Sequence, residues 1–406
     1  MFPRVVPIAI AVLVVCAPAA SALDDHSGRL RVPGAERQRS AFLADLTTSG
    51  TVASGHTNPE DWAGLTSTAF PLPGGVPGVQ IDGYFPDDSA TNANNDWNHD
   101  AQFVIRLPEL WNGGLVVTGT PGNRRQYAND RAISDWVLAR GYAFAATDKG
   151  NTGTSFHIDG VRPGDAIVEW HDRFTQLAVA AKVVVAQRYG RPPSTTLAAG
   201  ISNGGYLVRW QLENRPWLYD GGIDWEGTLW TVEGPNPFTF LPPLLRAYPS
   251  HAAGGPGREE IIAAGYPAES EFLWDFHYRT YWELTQRIYR EELDPGYVGD
   301  EADYDYASRR PAHRAVARIA LTGRIGRPLI TLHGTLDTLL PISRDSDVYA
   351  AMIADRGRAW LHRYHRIERG NHVDGLVDTY PDRLAPIAPR FLDAVGELET
   401  WLSRRR

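Results

Sequence analysis

Short apolar, β-branched runs alternate along this chain with longer stretches in which apolar residues recur every three or four positions. The first pattern suits strands buried on both faces and the second suits amphipathic helices. Together they predict an α/β protein, a mostly parallel sheet with helices on both faces. Eight strands are expected, near residues 79–85, 102–107, 115–119, 143–148, 196–201, 221–225, 329–333 and 360–367. Helices are expected over 133–140, 173–189 and 206–213; in the second, Leu177, Ala180, Ala181 and Val184 line one face.

The alternation breaks between the sixth and seventh predicted strands. From about 230 to 320 no strand pattern occurs, and residues 215–310 hold 18 of the 43 aromatic residues in 96 of 406 positions. A helical, aromatic-rich insertion that leaves and re-enters the sheet at one end would cap that end. Some of its aromatics would face substrate, while Trp274, Phe276, Tyr278 and Trp282 suit the core of the insertion itself. The expected organisation is a leader at 1–22, a core in two parts at 23–229 and 321–406, and a cap at 230–320.

Composition and charge narrow the setting. Arg4, an apolar run over 5–15 and small residues ending Ala20-Ser21-Ala22 read as a secretory signal peptide cleaved after Ala22. The run is too short to span a bilayer, and Pro3, Pro7 and Pro18 argue against a buried helix. A lipid-attachment box ending at Cys16 is the alternative, with Val15 bulky where a small residue is expected. No later apolar run approaches the ~20 residues of a membrane span, so a secreted protein without a membrane partner is expected. The single cysteine excludes an intramolecular disulfide and a thiolate metal cluster, and a net charge of −8 leaves no basic surface for nucleic acid.

The candidate chemistry sits at strand ends. Gly200-Ile201-Ser202-Asn203-Gly204-Gly205 follows a predicted strand and opens a predicted helix, the context in which Gly-x-Ser-x-Gly raises a nucleophilic serine above a sheet. A serine hydroxyl needs a base, and the base needs a group to hold its tautomer. His333-Gly334-Thr335-Leu336-Asp337 follows the seventh strand and Gly370-Asn371-His372 the eighth, so Ser202, Asp337 and His372 occur in the order serine, acid, histidine. Asp224 and Glu226, just after the sixth strand, are the alternative acids. His171, His251, His277, His333 and His365 lack the required placement and are expected to be structural, with His333 bracing the Asp337 loop. For the oxyanion, the backbone N–H of Asn203 and that of Thr120 are expected as donors, with Gly122 the alternative to Thr120. No cofactor is expected. Asp87, Asp88, Asn92, Asn94, Asp96, Asn98 and Asp100 crowd one loop without the spacing of a 12-residue calcium loop, so a solvated loop is expected there and a structural calcium is the alternative.

These residues resemble the α/β-hydrolase superfamily. Asp148-Lys149-Gly150-Asn151-Thr152-Gly153-Thr154-Ser155 is similar to a segment that follows the fourth strand in many of its members. Leu107-Pro108, Trp111-Asn112-Gly113, the helix with Lys182, Tyr189-Gly190, Ser202-Asn203-Gly204-Gly205 and Tyr219-Asp220-Gly221 resemble two secreted groups, the tannase/feruloyl esterases and the 3-hydroxybutyrate-oligomer hydrolases. The resemblance implies a serine esterase acting on a small-molecule or oligomeric ester. Tannase-type enzymes carry a disulfide-forming cysteine pair where Ile201 and Val373 stand, which favours the hydroxyalkanoate side. A serine peptidase on the same scaffold would use the same parts. Haloalkane dehalogenases and epoxide hydrolases place an aspartate where Ser202 stands, and are excluded.

Overall fold

The structure, a computed structural model, describes residues 30–405. The expected signal peptide at 1–22 and Cys16 lie outside the described residues. The strands are β1 (Arg37–Leu43), β2 (Gly78–Tyr84), β3 (Ala93–Asn94), β4 (Trp97–Asn98), β5 (Gln102–Pro108), β6 (Gly114–Gly119), β7 (Ala143–Thr147), β8 (Thr195–Ile201), β9 (Gly221–Trp225), β10 (Leu329–Gly334) and β11 (His362–Ile367). The helices are α1 (Thr48–Ala53), α2 (Asp135–Ala139), α3 (Asp165–Tyr189), α4 (Asn203–Asn214), α5 (Pro237–Ala252), α6 (Gly257–Ala263), α7 (Glu271–His277), α8 (Glu283–Leu293), α9 (Arg310–Val316), α10 (Ser346–Asp355) and α11 (Ala388–Ser403).

Nine strands form one sheet in the order β1-β2-β5-β7-β6-β8-β9-β10-β11, and β3 pairs with β4 in a small hairpin. From β7 to β11 all neighbours are parallel, and β1, β2 and β5 add an antiparallel edge. The sheet thus has one strand more than the eight expected. The extra strand, β1, is an edge whose sequence RQRSAFL leaves most side chains partly or fully exposed, so it carries no apolar run. The last strand begins at His362 because residues 359–361 form a single tight turn before pairing starts.

Alternation along the central strands divides the core in two. Phe103, Ile105, Leu115, Val117 and Ala145 face a layer with Trp170, Phe174 and Leu177 of α3 and Leu207 of α4. Val104, Val116, Phe144, Leu197 and Ile201 face the other layer, with Val137 of α2 and Phe391, Val395 and Leu398 of α11. Each fully buried Leu, Ile, Val or Phe contributes about 1.5–3 kcal/mol, which explains why these strands read as continuous apolar runs. Between β9 and β10 the chain forms α5 to α9, with no strand among them. Part of this segment has its own core of Leu241, Leu244, Tyr248, Tyr266, Trp274 and Trp282. No helix among the described residues is long and apolar enough to cross a membrane.

Candidate active site

Ser202 joins β8 to α4 with φ +56° and ψ −119°, a backbone conformation that a non-glycine residue holds only under constraint. The constraint is visible: its N–H donates to Trp225 O at 2.9 Å and its carbonyl accepts from Tyr206 N at 2.8 Å. Two glycines make the turn possible. A Cβ on Gly200 would lie 2.3 Å from the Gly204 carbonyl, and one on Gly204 would lie 2.3 Å from the Gly119 carbonyl oxygen. Ser202 consequently stands at the N-terminus of α4 on the wall of a cavity of about 420 Å³.

His372, in the loop after β11, lines the same cavity. Its Nδ1 donates to Asp337 Oδ2 at 2.8 Å, and its Nε2 is buried without a hydrogen-bond partner among the described residues. Asp337 follows β10, and its Oδ1 accepts from Leu339 N at 2.7 Å and Leu340 N at 2.9 Å. Burial alone would raise the Asp337 pKa, but the facing His372 and His333 outweigh it and hold the carboxyl well below the usual range. His333 is fully buried, with Nε2 3.2 Å from Asp337 Oδ2 and Nδ1 2.7 Å from Ser346 Oγ.

A second carboxyl group reaches this histidine. Glu226 Oε1 accepts the Gly334 N–H, and Oε2 lies 3.2 Å from His372 Nδ1. Burial and then the charge of Asp337 push the Glu226 pKa up, which favours its protonated form beside Asp337. Asp224, by contrast, is committed to Arg209 Nε at 2.6 Å and to Gly227 N at 2.7 Å. Of the two alternative acids, only Glu226 comes near His372.

Asn203 opens α4, so its backbone N–H belongs to a helical first turn that has no intrahelical acceptor. Its side chain is held by Gly122 O at 3.1 Å and Tyr289 OH at 2.6 Å. Thr120 is fully buried and does not line the cavity; its Oγ1 donates to Arg124 O at 2.8 Å and accepts from Lys149 Nζ at 2.8 Å. Gly122, the alternative for the second donor, is among the residues that line the cavity. Lys149, fully buried, also donates to Gly122 O at 3.0 Å, and burial lowers its pKa to about 7.

The remaining histidines have local partners. His171 meets Tyr206 OH at 2.6 Å, and burial lowers its pKa to about 3. His365 meets Glu397 at 2.8 Å, and His251 lies 3.6 Å from Glu271. His277 differs from these by lining the cavity; it lies 2.8 Å from Thr338 Oγ1, and burial lowers its pKa to about 4. The segment between β9 and β10 adds Phe276, Tyr281, Leu284, Ile288 and Tyr289 to the wall, while Trp274 and Trp282 pack inside it. Sequence reasoning missed Arg124, which lines the cavity, and Lys149 behind it; for Lys149 the signal was its place in the Asp148–Ser155 motif.

In the acidic loop several side chains bond within the loop or to neighbouring segments. Asp100 accepts from Ser89 Oγ at 2.6 Å and Thr91 N at 2.7 Å, Asn92 donates to Asp148 at 2.7 Å, and Asp87 pairs with Arg173 at 2.9 Å. Among the described residues, two groups bring one ligand atom each within 4.8 Å of one another: Asp87, Asp88 and Asp159, and the hydrogen-bonded set Glu226, Asp337 and His372.

Residues 89–223 match the family model described as tannase and feruloyl esterase. A D-(-)-3-hydroxybutyrate oligomer hydrolase of Azoarcus sp. (strain BH72) is 30% identical over 107 residues, covering 24% of this chain. The matched stretch spans only 15% of the length of that curated relative. Feruloyl esterase B from Aspergillus oryzae superposes with a TM-score of 0.58 at 12% identity, covering 86% of this chain and 82% of that one. An esterase from Aspergillus oryzae gives a TM-score of 0.55 at 13% identity, with the same coverage of 86% and 82%. The chain therefore has the α/β fold of these esterases and, over residues 89–223, is similar in sequence to the tannase and feruloyl esterase family.

Proposed function

We propose that the protein is a carboxylic ester hydrolase that forms an acyl-enzyme on Ser202. The observation that carries this reading is the joint placement of Ser202 and the unpartnered Nε2 of His372 on one cavity wall, with His372 Nδ1 tied to Asp337 at 2.8 Å. In this mechanism Nε2 takes the Ser202 proton as Oγ attacks the ester carbonyl. The oxyanion is met by the N–H of Asn203 and by the loop at Gly122. Collapse of the tetrahedral species breaks the ester C–O bond, and His372 passes its proton to the departing alcohol. Water then repeats the sequence and frees the acid. Asp337 stays ionised throughout and orients the imidazole.

The substrate class is a hydroxyalkanoate ester or oligomer, supported by the sequence similarity to a 3-hydroxybutyrate oligomer hydrolase and by Ile201 and Val373 in place of a cysteine pair. An aromatic ester is the second reading, favoured by the family match at 89–223 and by Phe276 and Tyr281 in the cavity wall. Residues 230–320 act as a cap between the core parts 23–229 and 321–406 and set the choice between these substrates. The protein is secreted after cleavage at Ala22.

The test is hydrolysis of 4-nitrophenyl butyrate by the full chain, with a serine-directed phosphonate as label. Turnover lost in Ser202→Ala and a phosphonate adduct at Ser202 support the reading. An adduct on another serine, or undiminished turnover by Ser202→Ala, overturns it. A p-nitroanilide cleaved as fast as the ester would reassign the protein to the peptidases.

A further inference from the structure

The wall of the Ser202 cavity is largely apolar, with Leu65, Leu284, Ile288 and Leu340 among its side chains. Among the described residues that line it, none is an aspartate or glutamate, and Arg124 alone is permanently cationic. Among the described residues, no carboxylate forms an ion pair with Arg124. Its Nη1 donates to the backbone carbonyl of Asp61 at 3.3 Å, a long bond, while the Asp61 carboxylate pairs with Arg125 Nε at 2.6 Å. The Asp61 carboxylate is thus taken up by Arg125 and acts on Arg124 only at longer range, leaving the Arg124 charge without an ion-pair partner beside the cavity. Burial lowers the Arg124 pKa, the signature of a cation removed from water without full compensation.

We propose that Arg124 binds a carboxylate carried by the substrate, so that the preferred esters are small molecules with a free acid group, such as a short hydroxyalkanoate oligomer ending in its own carboxylate. The inference rests on the ester hydrolase reading and adds to it the charge of the substrate. The cavity supplies the argument: a guanidinium offers paired donors that match a carboxylate in plane, and the apolar surroundings strengthen that pairing once water leaves. A cavity of about 420 Å³ has both Ser202 and Arg124 in its wall, so the ester and the acid can belong to one small molecule. A neutral ester of the same length would leave the guanidinium buried and unmatched.

Two matched substrate pairs test this in the full chain. One is the linear 3-hydroxybutyrate dimer as free acid against its terminal primary amide; the other is 4-nitrophenyl hydrogen glutarate against 4-nitrophenyl valerate. In at least one pair the acid should be preferred at least ~10-fold in kcat/KM. Arg124→Met should bring that ratio to about 1, mainly through KM, and Arg124→Lys should retain part of it. Competitive inhibition of the wild type by butyrate against butyramide reads the same preference without a substitution, and butyrate should bind more tightly. Neutral substrates preferred in both pairs, a ratio untouched by Arg124→Met, or equal inhibition by acid and amide overturns the carboxylate assignment while leaving the esterase reading in place. Failure of the wild type to cleave any of the four substrates overturns both.

Discussion

Two buried polar clusters share the strands β9 and β10 and the loops that follow them, and they differ in how completely their donors and acceptors are used. Around Arg209, Nε bonds Asp224 at 2.6 Å, Nη1 bonds Asp345 at 2.7 Å and Nη2 bonds Ser346 Oγ at 2.7 Å. The carboxylates are completed by Gly227 N, Thr331 Oγ1 and Leu229 N. Around His372 the matching stops short, because its Nε2 has no hydrogen-bond partner among the described residues. His333 touches both clusters, through Ser346 on one side and Asp337 on the other. The matched cluster holds α4 and α10 against the sheet and has nothing left to offer a ligand. The unmatched one keeps an acceptor open at a cavity, which is how a buried polar group becomes chemically useful.

The sharpest way to break this contrast is to disable each cluster in turn. Ser202→Ala and His372→Ala should each lower kcat/KM at least ~10³-fold, and the double variant should lose little more than either, since the residues act as a unit. Their thermal stability should stay near that of the wild type. Additive losses, or a matching loss of stability, would count against the division drawn here.

Arg209→Met should do the reverse. Removing the guanidinium strands Asp224 and Asp345 without a counter-charge, which costs about 3–5 kcal/mol in urea unfolding, while turnover per folded molecule stays within a few-fold. Loss of turnover at unchanged stability would place Arg209 in the chemistry.

The two carboxyl groups beside His372 sharpen the comparison inside the second cluster. Asp337→Asn removes the charge that orients the imidazole and should lower kcat by ~10²-fold or more. Glu226→Gln replaces a group whose pKa burial and Asp337 push up, so the loss should stay under about 10-fold. Equal losses would mean that the negative charge is shared between them.

The smallest expected effect lies at Asp135, a group matched on one side only. Its Oδ1 accepts from Thr48 N at 2.8 Å and its Oδ2 is unpartnered among the described residues. Burial, followed by the charge of Asp130, raises its pKa from 3.8 to about 7. The unfolded chain releases this proton near pH 3.8 and the folded one near 7, so the stability it contributes is full below the first value and is lost as pH rises to the second. Asp135→Asn lacks that loss. Its Tm minus that of the wild type should grow by about 2 °C or more between pH 4.5 and 7.5 and then level off; a difference independent of pH would contradict the assignment.

How much of this was legible in the sequence depends on where each side chain is buried. Strands such as β5 to β8 sit between two helical layers, so nearly every position is buried and a short apolar run is visible in each. β1 escapes notice because one neighbour and solvent do not demand that pattern. Ser202, Asp337 and His372 stood out because each lies in a local motif just beyond a strand. Glu226 was named only as an alternative acid and Lys149 only as part of the Asp148–Ser155 motif, and Arg124 carried no local signature, since their roles depend on what faces them across the fold.

Local patterning by itself determined the α/β architecture, the helical character of residues 230–320 and the chain order of the serine, acid and histidine motifs, because strand burial, helix periodicity and turn chemistry are written in neighbouring residues. Tertiary structure alone decided that Asp224 belongs to Arg209, that burial and Asp337 push the Glu226 pKa up, that Gly122 lines the cavity, and that Arg124 lines it with no ion-paired carboxylate among the described residues. Hydrogen bonding and charge act over a few ångströms between residues far apart in the chain. Which partner satisfies a buried group therefore depends on packing that no local pattern encodes.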